Sequence, residues 1–169
     1  TNVGKYKVIA NFVYDENNYE PISAITSEFF ISPNEYTCGQ VTLKVVSGYI
    51  EYGATLSVEN KDFNGYSFGN NEKLLQSFEI KLIKEGNEIQ PNGTVQIIIS
   101  LEDIQDNGLK LYCTENDSIK DTPFQVNNGK LQFSTEKLTD FCIVKDLSNT
   151  ILWACLGPIL GVLVIAAIV

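Results

Sequence analysis

Residues 124–133 read FQVNNGKLQF, and this stretch predicts a tight antiparallel hairpin. Asn128 and Gly129 can both adopt the positive φ that the two central residues of a type I′ hairpin turn require. On either side of the turn, apolar and polar residues alternate with the period of two that is typical of a half-buried strand. The apolar positions are Phe124, Val126, Leu131 and Phe133.

The same alternation recurs over residues 78–82, 95–99 and 109–113. Turn-forming residues separate these segments, at 85–87, 91–93 and 106–108. No segment before residue 150 carries a sustained apolar stripe with a period of 3.6, so no amphipathic helix is predicted there. Short strands separated by turns predict an all-β protein, specifically an immunoglobulin-like antiparallel β-sandwich.

The composition excludes several classes of function. The chain has 169 residues, a formal net charge of −9, 12 cationic side chains that are all lysine, and no histidine. Because nucleic-acid binding needs a basic surface that neutralises phosphates, nucleic acid is not an expected partner. Without histidine there are no imidazole bases, no His-activated nucleophiles and no His-containing metal sites. We therefore expect a protein that is not an enzyme, with no catalytic residue, cofactor or metal site.

The last 19 residues form an uncharged apolar run. Residues 151–169 read ILWACLGPILGVLVIAAIV, which spans about 28 Å as a helix and so matches the thickness of a bilayer core. We expect a transmembrane helix over 148–169, with a removable lipid-anchor signal as the alternative. Gly157 and Gly161 form a GxxxG pattern that allows helix–helix contact, although Pro158 between them also fits a simple kinked anchor.

The chain before this run divides near residue 32. Turn residues at 32–34 separate a strand-like segment from the alternation that begins at Val41. Residues 1–32 are too few to bury a core, so we expect them to be the last strands of an upstream domain. Residues 33–147 would then form one β-sandwich module. We interpret the whole as the C-terminal portion of a longer protein.

Two segments resemble known surface-protein modules. In residues 1–32, Gly4-x-Tyr6-x-Val8 followed by Asn18-Tyr19-x-Pro21 resembles the closing strands of bacterial immunoglobulin-like repeats of the MBG type. The segments FEIKLIKEGNEIQPNGTVQIIISL, LKLYCTENDSI, GKLQFSTE and TDFCIV resemble a β-sandwich module found near the C-terminus of multi-domain bacterial surface proteins. The same architecture resembles surface proteins of parasitic or commensal protists. These resemblances imply a stalk and no catalytic residues.

Three cysteines precede the apolar run. If the module is exported, Cys113 and Cys142 on neighbouring strands can bridge and close a loop of about 30 residues, the alternative being buried free thiols. Cys38 would then have no partner in this chain. Asn92-Gly93-Thr94 and Asn116-Asp117-Ser118 are N-glycosylation sequons in predicted turns, so Asn92 and Asn116 are candidate glycan sites.

An aromatic stretch offers a candidate recognition surface. Its members lie among Asn and Gly residues: Tyr49, Tyr52, Phe63, Tyr66 and Phe68. Exposed rings of this kind can bind a carbohydrate or protein by stacking, whereas buried rings would only fill the sandwich.

Together these features predict the membrane-proximal stalk and anchor of a single-pass cell-surface protein. The sandwich would be extracellular, and the partners would be the lipid bilayer and a protein or carbohydrate ligand that upstream domains bind. One alternative is the anchoring end of a surface hydrolase whose catalytic domain lies upstream. A second is an adhesin whose repeats themselves bind the ligand.

Overall fold

The computed structural model describes residues 2–13, 15, 17–18, 22–63, 66–101, 108–116 and 118–148. These residues contain thirteen strands: β1 Gly4–Ala10, β2 Ile25–Ile31, β3 Glu35–Cys38, β4 Val41–Val45, β5 Thr55–Asn60, β6 Glu72–Lys84, β7 Asn87–Ile89, β8 Val95–Ser100, β9 Leu109–Glu115, β10 Ser118–Asp121, β11 Gln125–Asn127, β12 Lys130–Thr135 and β13 Asp140–Asp146.

The strands after residue 34 form two antiparallel sheets. One sheet has the order β11-β12-β8-β4-β3, and the other has the order β10-β9-β13-β6-β5, with β7 also paired to β6. The chain passes back and forth between the sheets, and its last strand, β13, is inserted between β6 and β9. The predicted all-β antiparallel class is therefore confirmed.

One hydrophobic core lies between the two sheets. Alternate residues of β8 and of β13 point into it, and Ile97, Ile99 and Ile143 are completely buried. Phe133 of β12 and Phe141 of β13 meet across the layers with ring centroids 4.9 Å apart. Sharing one core between two sheets is the arrangement of a β-sandwich.

The predicted turn at 128–129 joins β11 to β12. Asn128 has φ 51° and Gly129 has φ 71°, so both central residues adopt the left-handed conformation. Val126 pairs with Leu131 across this hairpin, and Leu131 is completely buried. This part of the sequence-based prediction is confirmed.

The first two strands form a separate two-stranded sheet. Their register runs from Gly4↔Ile31 to Ala10↔Ile25. Side chains on both of its faces remain exposed, such as Phe29 at 45% on one face and Phe30 at 53% on the other. A pair of strands has no second layer to bury such residues, so this hairpin contributes nothing to the sandwich core.

Candidate functional site

The chain enters and leaves the sandwich at opposite ends. At the entry end, Asn34 precedes β3 and its carbonyl accepts a hydrogen bond from the Val45 N–H at the end of β4 (2.8 Å). At the exit end, Asp146 ends β13, and its N–H donates to the carbonyl of Gly108 (2.7 Å). Strand β6 runs between these two ends, because its Lys84 lines the same surface cleft as Asn34 and its Glu72 pairs with Asp146. At about 3.4 Å per residue, β13 alone covers about 20 Å between the two ends.

The strand that leaves the sandwich is held on both sides. Along its length β13 pairs with β6, from Asp140↔Glu79 to Asp146↔Glu72, and with β9, from Phe141↔Cys113 to Lys145↔Leu109. The strand by which the chain enters, β3, is an edge strand that pairs with β4 alone. A pull on the exit end therefore loads two hydrogen-bond ladders along the strand direction.

A network of charges fastens the exit end. Glu72 and Asp146 lie directly opposite one another in the β6–β13 register, and two carboxylates in such a pair repel. Lys110 of β9 neutralises both, with its Nζ 2.6 Å from Glu72 Oε1 and 3.2 Å from Asp146 Oδ2. Glu72 also accepts hydrogen bonds from the Tyr112 hydroxyl (3.0 Å) and from the Gly69 N–H (2.8 Å). The Glu72 side chain is 8% exposed, so the network is partly shielded from water.

The same contacts shift the proton affinities of the network. The Lys110 ammonium lowers the pKa of Glu72, and hydrogen bonds from Ser148 together with Lys110 lower the pKa of Asp146 to about 2. Hydrogen bonds to these two carboxylates raise the pKa of Lys110 above its usual range. Burial raises the pKa of Tyr112. The network thus stays charged through the neutral range, which suits a permanent clamp and not a proton-transfer site.

The last described residues are also hydrogen-bonded to the exit end. The Leu147 N–H donates to the carbonyl of Asn71 (2.8 Å), and the Ser148 N–H donates to Asp146 Oδ1 (2.9 Å). Sequence reasoning did not find the network, because Glu72, Lys110 and Asp146 lie far apart in the chain and share no motif. The register of β6, β9 and β13 alone brings them together.

Cys113 and Cys142 lie on neighbouring strands. Both are free thiols. Cys142 is opposite Tyr112 and Cys113 is opposite Phe141, so the two side chains project from opposite faces of the sheet. Cys113 packs against the main core, whereas Cys142 is completely buried on the outer face. Burial raises the pKa of Cys142 to about 12, which makes it a structural thiol.

The aromatic stretch is divided between two places. Phe63, Tyr66 and Phe68 cover the outer face of the six-stranded sheet, where they pack with Cys142 and Val144 in a small second core. Tyr49 and Tyr52 instead lie at the entry end and are 56% and 37% exposed. These two are the exposed members of the stretch. The sequence could not separate the groups, because loop residues carry no periodicity that assigns them to a face.

Tyr49 and Tyr52 line a cleft of about 810 Å³ between the N-terminal hairpin and the sandwich. The ring of Phe30 in β2 stacks on Tyr52, with centroids 5.2 Å apart. Across the cleft, Lys84 Nζ lies 2.6 Å from Glu51 Oε2. We call this feature the entry cleft; its lining also includes Pro33, Asn34, Val45, Ile50 and Glu85.

Backbone contacts fix the loop that carries Tyr49. Tyr49 and Asn92 exchange two backbone hydrogen bonds, each of 2.9 Å. Gly48 has φ +76°, and a Cβ there would lie 1.7 Å from the Asn92 carbonyl oxygen. Glycine at this position is therefore required for the two loops to touch.

The two sequon asparagines are exposed. Asn92 follows β7 in the turn that contacts Tyr49, and Asn116 follows β9 with φ 50°. Their glycosylation stays a prediction.

The predicted membrane helix, with Gly157 and Gly161, lies outside the described residues. In the part of the chain that is described, no helix is both long enough and apolar enough to span a bilayer. The same described residues contain no group of three or more Cys, Asp or Glu side chains placed to hold a metal ion.

No protein-family model matches the chain, and no curated protein matches it significantly.

Proposed function

We propose that this chain is the membrane-proximal stalk and anchor of a single-pass cell-surface protein, with an immunoglobulin-like sandwich as the extracellular spacer. The observation that carries the proposal is the placement of the entry and exit ends on opposite sides of the sandwich. A module connected in this way separates its two neighbouring segments by a full domain length.

The exit end supports this role because it resists removal of β13. Shear along β13 must break contacts with β6 and β9 together, and Lys110 joins the end of β13 to both neighbours. These two hydrogen-bond ladders hold the strand that directly precedes the proposed membrane helix, and we expect tension to reach the sandwich through that helix.

The sequence supports the anchoring half of the proposal. Residues 151–169 contain no charge over 19 positions, which gives the apolar length that a membrane helix needs. The three-residue link 148–150 is polar and short, so the sandwich would lie close to the bilayer surface. Ligand binding by upstream domains, to a protein or a carbohydrate, belongs to the same proposal.

Fractionation of intact cells that express the full chain tests the proposal. We expect the chain to remain in the membrane after alkaline carbonate washing and its lysines to react with a membrane-impermeant amine reagent from outside. A double variant, Leu160→Glu with Leu163→Glu, should release the protein, because each carboxylate in the middle of a membrane helix costs about 3 kcal/mol.

A paired variant, Ser148→Glu with Asn149→Glu, adds the same charge in the polar link and should leave the protein membrane-bound. The proposal is overturned if carbonate removes the unaltered chain, or if its lysines react only after the cells are lysed.

A further inference from the structure

We propose that the entry cleft binds a saccharide, with the exposed ring of Tyr49 as the stacking platform for one sugar ring. This activity goes beyond the spacer role and rests on side chains that the spacer does not use. The cleft volume of about 810 Å³ lies within the range of about 300–1,000 Å³ that is usual for small-molecule sites.

Tyr49 presents its ring without the support of neighbouring rings. It is 56% exposed, although it is held by a backbone that Asn92 and Gly48 fix in place. An exposed aromatic side chain on a fixed backbone loses little conformational freedom when a ligand binds. The C–H face of a pyranose is the apolar surface that such a ring stacks against, while the phenol hydroxyl remains available for hydrogen bonding.

Polar residues also line the cleft and could bind the hydroxyl groups of a sugar. Glu51 and Lys84 form an exposed ion pair, with side chains 52% and 30% exposed, and each retains further hydrogen-bonding capacity. Asn34 also lines the cleft, and its side chain carries an amide. One aromatic platform beside carboxylate, ammonium and amide groups fits a polyhydroxylated ring.

The arrangement fits a proline-rich peptide less well. Peptides of that kind bind in grooves lined by several open aromatic rings. In the entry cleft, Phe30 already stacks on Tyr52, so Tyr49 is the ring that remains open.

Saturation-transfer NMR and titration calorimetry on the full chain in detergent test the proposal. The protein is made in a bacterial host so that Asn92 carries no glycan, and the probes are the tetrasaccharides of glucose, galactose, mannose and N-acetylglucosamine. We expect at least one probe to bind, and Tyr49→Ala to weaken it about tenfold or more. Tyr49→Phe, which keeps the ring, should stay within about threefold.

Leu75→Ala is the matched control, because Leu75 is 37% exposed and lies in β6 outside the entry cleft. It should bind as the unaltered chain does. Absence of binding by all four probes overturns the proposal, and so does equal binding by Tyr49→Ala. Tyr49-dependent binding of octaproline without saccharide binding also overturns it, in favour of a peptide site.

Discussion

The N-terminal hairpin and the sandwich are built from the same kind of strand, yet they differ in what they bury. In the sandwich, inward side chains such as Leu43 and Ile97 are completely buried. In the hairpin, Tyr6 stacks on Phe29 at 5.3 Å, but Phe29 remains 45% exposed and Ile25 remains 60% exposed. Strands can therefore form without a second layer, whereas burial of their apolar side chains requires a second sheet.

The comparison also assigns different roles to the two regions. The sandwich can hold its own shape because its strand ladders enclose a continuous buried core between two sheets. The hairpin meets the sandwich at Phe30 and Tyr52 and forms one wall of the entry cleft. It is the region whose apolar face would be completed by an upstream domain under the proposed architecture.

The largest expected difference between the two regions is in core energetics. Phe141→Ala removes a buried ring that joins the sheets and should lower the free energy of unfolding by about 3–5 kcal/mol. Phe29→Ala, the matched change in the hairpin, should change the stability of the sandwich by no more than about 0.5 kcal/mol. Denaturant titration of both variants measures this contrast. Equal losses would show that the hairpin is part of the sandwich core.

The next largest effect is the difference in the cost of replacing Gly48 and Gly39 by alanine, measured as the free energy of unfolding. Gly48→Ala should cost about 2–3 kcal/mol, because the added Cβ meets the Asn92 carbonyl and the left-handed backbone is strained. Gly39→Ala shares the positive φ, at +56°, but meets nothing within 4 Å, so about 1 kcal/mol is expected. Thermal unfolding of both variants measures this difference. Equal costs would mean that the contact between the Gly48 and Asn92 loops does not hold the entry end.

Acid should weaken the ion-pair network of Glu72, Lys110 and Asp146 at the exit end. The folded pKa values of Glu72 and Asp146 are lowered, so the stabilisation they give is present above about pH 4.5 and is lost as pH falls toward 2. Lys110→Met removes the shared cation, so the fall in melting temperature between pH 5 and pH 2 should be smaller than in the unaltered chain. Lys120→Met, which breaks an exposed pair with Glu115, is the control and should leave that fall unchanged. Identical acid profiles for all three proteins would show that Lys110 does not stabilise the exit end through Glu72 and Asp146.

The smallest expected effect is that of a reductant. Because Cys113 and Cys142 project from opposite faces, dithiothreitol should move the melting temperature by less than about 1 °C. A bridge closing a loop of about 30 residues would add about 3–4 kcal/mol, so its reduction would be obvious. A large drop on reduction would show that the register of β9 and β13 differs from the one described.

The sequence was sufficient for the strands and for the turns with a distinct residue signature. Ile97 and Ile99 occupy alternate positions of β8 and are buried as expected, and Asn128-Gly129 forms the predicted hairpin turn. Whether Cys113 and Cys142 share a face could not be predicted, because that depends on the register between β9 and β13.

The sites depended on long-range packing, which local patterns do not encode. Lys110 reaches Glu72 and Asp146 only because β13, the last strand, lies between β6 and β9. Tyr49 and Phe63 looked equivalent in the sequence, and their loops place one at the entry cleft and the other in the outer core.

Single-molecule pulling on the full chain in a detergent micelle most directly tests the claim that the sandwich bears load between its two ends. Handles are attached through Asn34→Cys and Ser148→Cys, with the native cysteines replaced by alanine, and compared with handles on Asn71→Cys and Ser148→Cys. The first pair loads β3 against β4 and β13 against β6 and β9 in shear, whereas the second unzips β6 from β13 at the exit end. We predict a clearly higher rupture force for the first pair at the same loading rate. Equal forces, or a weaker first pair, would contradict the spacer role.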